Sequence, residues 1–291
     1  MLKQNKISVG LVQMTGEENV DANLNKAISR IQEAASKGAH IVCLQELFSS
    51  LYFCQTNNQK YFSLAENIPG PTTEKLAQCA KQNKVVLIAS LFEKEETHYY
   101  NTAIVIDQEG KLLGKYRKMH IPDDLKNHYS EMYYFTPGDL GYPVFETIYG
   151  KIGVLVCWDQ WYPEAARMLA VKGAQIIFYP TSIGWPGEES KTSQGKIEFE
   201  AWVTIQRSHA IANTVFVGVT NRCGKENQID FWGGSFFCGP FGKILTQASH
   251  DKEETLIVNC DLDLIQEVQN DWPFLDCRRS DSFKPLTQTK T

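Results

Sequence analysis

The stretch Lys151-Ile152-Gly153-Val154-Leu155-Val156-Cys157-Trp158-Asp159-Gln160-Trp161-Tyr162-Pro163-Glu164-Ala165-Ala166-Arg167 carries the reading of the fold. Ile152 to Val156 is a short apolar run and reads as a buried strand. Pro163 to Ala170 reads as a helix with proline in its first turn. Cys157 sits between them, at a strand's carboxyl end, where open α/β sheets place their chemistry. A thiol there becomes a nucleophile if a base and a cation lie nearby. The competing explanation is a small buried hydrophobe, the ordinary fate of cysteine.

Moving outward, the same pattern occurs earlier in the chain. Lys37-Gly38-Ala39-His40-Ile41-Val42 closes a helical pattern and opens an apolar strand, as Lys172-Gly173-Ala174-Gln175-Ile176-Ile177 does. Each follows a strand opening with Lys-Ile, at Lys6-Ile7 and at Lys151-Ile152. Two similar halves, each a sheet covered by helices and packed face to face, would explain this. Glycine is common just after helices, so two unrelated turns are the alternative. Further strands are expected at Val85–Phe92, Asn101–Asp107, Lys111–Tyr116, Thr214–Val219, Gly234–Cys238 and Leu256–Cys260. Helices are expected at Val20–Lys37, Thr72–Asn83, Pro163–Lys172 and Glu198–Asn213. Helix alternation together with hairpins implies an α/β protein with mixed sheets. No linker divides residues 1–291, so a single domain is expected. The tail from Trp272 is polar and aperiodic, and reads as a loose end or an arm on a partner subunit.

Bulk properties exclude several function classes. Of 291 residues, 43% are hydrophobic, enough for a large core. The formal charge of −5 and the lack of a long basic run disfavour nucleic acid. No apolar stretch approaches the ~20 residues that span a bilayer. The amino terminus shows no secretory segment, so a cytoplasmic location with reduced cysteines is expected. The eight cysteines form no C-x-x-C pair and the six histidines no ligand spacing; neither a metal nor any other cofactor is expected.

A cysteine hydrolase also needs a base and an oxyanion partner. Glu46 ends the apolar run Ile41-Val42-Cys43-Leu44-Gln45-Glu46, where burial is costly unless the carboxylate is paired. The alternative is a glutamate reaching solvent. Lys118 lies in Lys115-Tyr116-Arg117-Lys118-Met119-His120, where the alternative is a solvated surface charge. Glu131, in Ser130-Glu131-Met132-Tyr133, is a further carboxylate, or else an exposed loop residue.

Together, Glu46, Lys118 and Cys157 with their flanking residues resemble the Glu-Lys-Cys triad of the nitrilase (carbon–nitrogen hydrolase) superfamily, in order and spacing, from about Ile7 to Pro285. Cys157 to Arg167, His120-Ile121-Pro122-Asp123, Tyr134 to Asp139 and Phe178 to Gly184 resemble one branch in particular, the N-carbamoylputrescine amidohydrolases. The resemblance implies a four-layer αββα sandwich with two mixed sheets, and homo-oligomers of at least two subunits. It implies that Glu46 is the base and Cys157 the nucleophile. Lys118 and the Trp158 N–H would then stabilise the oxyanion, and Glu131 would orient the substrate. Other superfamily amidases (nitrilase, β-ureidopropionase, ω-amidase) and a catalytically inactive binding protein on this fold are the alternatives.

The tail of the substrate can be argued from charge. A carbamoyl amino acid carries a carboxylate that calls for arginine, and Trp158 to Tyr162 contains none. A carbamoyl diamine carries an ammonium, which calls for carboxylates or aromatic faces. Trp158, Trp161 and Trp185 supply rings, and Glu188 or Glu189, Glu188 preferred, would hold the distal amine; a polar loop tip is the alternative.

Overall fold

The computed structural model describes residues 5–187 and 192–288. Twelve strands make two six-stranded sheets. The first sheet holds β1 (Lys6–Gln13), β2 (Ile41–Leu44), β3 (Val86–Glu95), β4 (His98–Ile106), β5 (Leu112–Arg117) and β12 (Glu254–Asp261), in the order β12-β1-β2-β3-β4-β5. The second holds β6 (Val144–Thr147), β7 (Gly150–Val154), β8 (Ile176–Pro180), β9 (Phe216–Thr220), β10 (Phe236–Cys238) and β11 (Ile244–Gln247), in the order β6-β7-β8-β9-β10-β11.

The two orders have one pattern of directions. From β12 to β5 the pairings run antiparallel, parallel, parallel, antiparallel, antiparallel. From β6 to β11 they run the same way. Helices α1 (Val20–Ser36) and α2 (Pro71–Asn83) occupy the crossovers of the first half, and α3 (Pro163–Val171) and α4 (Ser193–Asn213) those of the second. The repeat read from the Lys-Gly-Ala stretches is therefore a repeat of topology.

Its hinges match in detail. Gly38 and Gly173 both have φ of 91°, which glycine adopts freely. Ala39 N donates to Ala34 O at 3.0 Å and Ala174 N to Leu169 O at 3.1 Å, so both helices end in the same wide backbone turn. Glycine also sets helix–sheet spacing. A Cβ on Gly153 would lie 2.7 Å from a Leu169 methyl, so α3 sits as close to β7 as this residue permits.

Strand alternation divides the core into layers. Val12, Val42, Leu44, Leu87 and Ile104 pack against Leu24, Ala27, Ile31, Ala34, Leu76 and Ala80 of α1 and α2. Val9, Leu11, Ile41, Cys43, Val86, Ile88 and Val105 face the second sheet, whose far side meets α3 and α4. The result is an αββα sandwich of nitrilase type, as the resemblance implies.

Several boundaries differ from the sequence reading. The strand at 152–156 runs instead from Gly150 to Val154, and Cys157 opens a 3-10 turn (Cys157–Trp161). Helix α4 starts five residues before Glu198, at Ser193, where the Thr192 side chain caps Gly195 N. A helix α5 (Asp263–Asp271), with Ile265 as its buried residue, was not expected. The tail is not wholly irregular: Ser280–Thr287 forms 3-10 turns.

Candidate active site

The named residues stand at the carboxyl ends of strands. Glu46 follows β2, Lys118 follows β5, and Cys157 comes three residues after β7. Face-to-face packing brings these ends together. Glu46 N donates to Thr181 O, just past β8, at 3.4 Å, and Ser182 Oγ donates back to Glu46 O at 3.1 Å. Thus β2 and β8, corresponding strands of the two halves, meet at the site.

Glu46 does not reach solvent and Lys118 is no surface charge; each is 0% exposed, as is Glu131. Lys118 Nζ lies 2.9 Å from Glu46 Oε1 and 2.6 Å from Glu131 Oε2. Asn101 Nδ2 donates to Glu46 Oε1 at 2.7 Å, and Tyr52 OH to Glu131 Oε1 at 2.7 Å. Glu46 Oε2 has no hydrogen-bond partner among the described residues. A buried acceptor without a partner is costly in a merely structural role, and it leaves one oxygen of Glu46 able to take a proton.

Burial sets the protonation states. Desolvation raises the Cys157 thiol well above its ordinary value, and the charge of Glu46 adds to this. The resting group is therefore a thiol, and a base has to remove its proton. Burial alone would lower Lys118, but Glu131 and Glu46 outweigh it and keep the ammonium charged. Burial pushes Glu131 up to about 7, with Lys118 opposing.

The backbone at Cys157 is strained, with φ of 44° at a non-glycine residue. Such a conformation costs about 1–3 kcal/mol and clusters at functional sites. Asp159 secures the turn. Its Oδ2 accepts from Val156 N at 2.9 Å and Tyr116 OH at 2.8 Å, and its Oδ1 from His120 N at 3.0 Å and His120 Nδ1 at 2.7 Å. The His120 ring stacks on Tyr162 at 3.7 Å. One buried carboxylate thus ties the segment carrying Lys118 to the segment carrying Cys157.

A cavity of about 300 Å³ opens on this cluster. Cys157, Glu131, Trp158 and Trp161 line it, along with Tyr129, Ile183 and Trp232. Asp124 and Glu198 line it too, whereas no lysine or arginine does so among the described residues. Asp124 belongs to a small hairpin (Asp123–Asp124 with Tyr129–Ser130), pinned to the second half by Tyr129 OH, which donates to Gly184 O at 3.1 Å. Trp185 lies off the cavity, its indole packed on Trp232 and its Nε1 donating to Gly195 O at 2.8 Å. Glu188 and Glu189 lie outside the described residues.

Sequence reading missed Asn101, Tyr52, Asp159, Asp124 and Glu198. Asn101 and Tyr52 act on carboxylates of distant segments, Asp159 ties Cys157's own turn to Tyr116 and His120, and Asp124 and Glu198 reach the cavity from two separate elements. Among the described residues no group of three or more His, Cys, Asp or Glu side chains is placed to hold a metal. No helix among them is long and apolar enough to cross a membrane.

A sequence profile described as carbon-nitrogen hydrolase matches residues 8–270. The chain is 39% identical to an N-carbamoylputrescine amidase of Arabidopsis thaliana, over 98% of this chain and 96% of that one. It is 38% identical to a citrullinase of Francisella tularensis, over 97% and 98%. The crystal structure of a carbon-nitrogen hydrolase from Helicobacter pylori G27 superposes with a TM-score of 0.93 at 41% identity, covering 98% of this chain and all of that one.

Proposed function

The chain belongs to the carbon–nitrogen hydrolase (nitrilase) superfamily, and from that premise and the chemistry of the cavity we propose that it hydrolyses N-carbamoylputrescine to putrescine, carbon dioxide and ammonia. Its membership makes it a hydrolase of carbon–nitrogen bonds. The observation that carries the choice of substrate is the charge of the cavity. Asp124 and Glu198 line it with no lysine or arginine among the described residues, while Glu131 is already paired with Lys118, so these two acids attract a cationic tail and disfavour a carboxylate tail.

In this reading Glu46 Oε2 takes the Cys157 proton. The sulfur bonds to the ureido carbon, and the carbonyl electron pair moves to oxygen, where Lys118 Nζ and the Trp158 N–H receive it. Glu46 returns the proton to the departing nitrogen. The carbon–nitrogen bond breaks, ammonia leaves, and an N-alkylcarbamoyl thioester stays on Cys157. Water gives a proton to Glu46 and attacks the same carbon. The carbon–sulfur bond breaks, the thiol is restored, and the freed carbamate loses carbon dioxide to give the diamine. Glu131 holds Lys118 in place and borders the substrate. The faces of Trp158 and Trp161 cover the methylene chain, while Asp124 and Glu198 hold the distal ammonium.

Citrulline carries the same ureido group and an ammonium, plus a carboxylate. Ammonia release is therefore measured with N-carbamoylputrescine, citrulline, N-carbamoyl-β-alanine, a D-carbamoyl amino acid and a simple nitrile, with Cys157→Ala as control. Preferred turnover of the carbamoyl diamine, lost in the control, is the expected result. Asp124→Asn and Glu198→Gln should each raise its KM roughly 10-fold, the worth of one charged hydrogen bond. Preference for a carboxylate-bearing substrate would refute the charge argument. A homo-oligomer remains part of the proposal, with exposed Trp272, Phe283 and Leu286 on the tail as surface for a second subunit; light scattering tests it.

A further inference from the structure

We propose that Arg222 is a positioning residue that sets both carboxylates of the site at once, an inference that rests on the roles assigned above to Glu46 and Glu131. Arg222 follows β9 and is 0% exposed. A guanidinium has five N–H donors in a fixed fork, and here every one has a partner. Nη2 donates to Glu46 O at 3.1 Å and to Leu47 O at 2.9 Å. Nη1 donates to Ser50 O at 2.9 Å and to Glu226 Oε1 at 2.7 Å. Nε donates to Ser182 Oγ at 3.3 Å, and that hydroxyl donates to Glu46 O.

Three carbonyls of the 46–50 turn therefore converge on one cation. The turn needs it: Leu47 has φ of 47°, a left-handed conformation that a branched apolar side chain avoids. The direction of the Glu46 side chain depends on that backbone. The second arm runs through Glu226. Its Oε2 accepts from Tyr52 N at 2.7 Å, and Tyr52 OH donates to Glu131 Oε1, opposite the oxygen that meets Lys118. One buried ion pair thus fixes the backbone beneath the base and, through Tyr52, the carboxylate on the other side of Lys118. Gly16 closes the arrangement: a Cβ there would lie 2.4 Å from Arg222 Nη1 and 2.5 Å from Glu226 Oε1.

Lysine keeps the charge of Arg222 but cannot span these acceptors. The test uses Arg222→Lys and Glu226→Gln in the full chain. It reads kcat and KM for N-carbamoylputrescine, thermal unfolding, and the rate at which iodoacetamide alkylates the Cys157 peptide. Peptide resolution is needed because Cys277 is exposed. A misplacement near 1 Å costs about 100-fold in rate. Folded Arg222→Lys should therefore lose about 100-fold in kcat with KM within about threefold, and Cys157 alkylation should slow in parallel because the base is misdirected. A merely structural residue would lower activity only with the folded fraction and leave alkylation of the folded protein unchanged; that result overturns the inference, as does a folded variant with parental kcat. If Arg222→Lys does not fold, Glu226→Gln decides: an approximately tenfold lower kcat with slower alkylation is expected, and parental values refute it. Glu46→Gln separates the two levels. Full activity there removes the catalytic reading itself, whereas an inactive Glu46→Gln beside a fully active Arg222→Lys removes only the positioning role.

Discussion

Replacing Lys118 by methionine keeps most of the side-chain volume and removes one charge from a fully buried cluster. Lys118 is 0% exposed and is the cation between Glu46 at 2.9 Å and Glu131 at 2.6 Å. Removing one partner of a buried ion pair costs about 3–5 kcal/mol, because the charge left behind is uncompensated. Two carboxylates would be left, so the cost should sit at the upper end unless one takes a proton. That escape fixes the pH dependence. Glu131 is already pushed up to about 7 by burial, with Lys118 opposing, and losing Lys118 raises it further. A carboxyl whose folded value lies above its unfolded value favours the fold below the unfolded value of about 4.5, and that contribution is lost as pH rises through the folded value. The part of the destabilisation due to Glu131 should therefore begin near pH 7, where the parent's Glu131 ionises and the variant's stays protonated, and grow to pH 8. Catalysis should fall roughly 100–1,000-fold in kcat, the worth of one oxyanion donor, with further loss if Glu46 is the group that protonates. Urea unfolding from pH 5 to 8 and steady-state ammonia release measure both effects. A stability loss below about 1 kcal/mol at pH 8, or one independent of pH, would refute the reasoning about the buried triad.

Glu131→Gln removes the carboxyl raised to about 7, so its stability should decline less than that of the parent between pH 4.5 and 7, by up to about 3 kcal/mol, as chemical unfolding at several pH values would read. Asp159→Asn sets an amide against the four donors now served by Asp159, and should cost about 1–3 kcal/mol in unfolding and lower kcat more than KM. Gly153→Ala would press a methyl against Leu169, and should cost about 1–3 kcal/mol in urea unfolding while kcat of the folded fraction is kept.

Much of the architecture was legible because it is written locally. Apolar runs, two Gly-Ala helix stops and one hairpin turn mark β1 to β5, β7 to β10 and β12, and the repeat follows from them. Strands β6 and β11 were missed: each has four residues and only partial burial, so the apolar signal is thin. Helix α5 was missed for a related reason, since it buries Ile265 alone. At the site, Glu46, Lys118, Glu131 and Cys157 were found as a motif, and the structure brings them together. The partners that orient them were not found. Asn101, Tyr52, Asp159 and Arg222 act across segments far apart in the chain, and only sheet packing places them there. The same holds for Asp124 and Glu198. Glu188, the acid expected just beyond Gly184, lies outside the described residues, while these two reach the cavity from a hairpin and from α4.

The most direct test of the central claim is acid quenching of the protein during turnover of N-carbamoylputrescine, followed by mass analysis of its peptides. The account requires an adduct equal to substrate less ammonia on the peptide containing Cys157, absent from Cys157→Ala, which should also release no ammonia. An adduct on another residue, or ammonia release by Cys157→Ala at the parental rate, would contradict it.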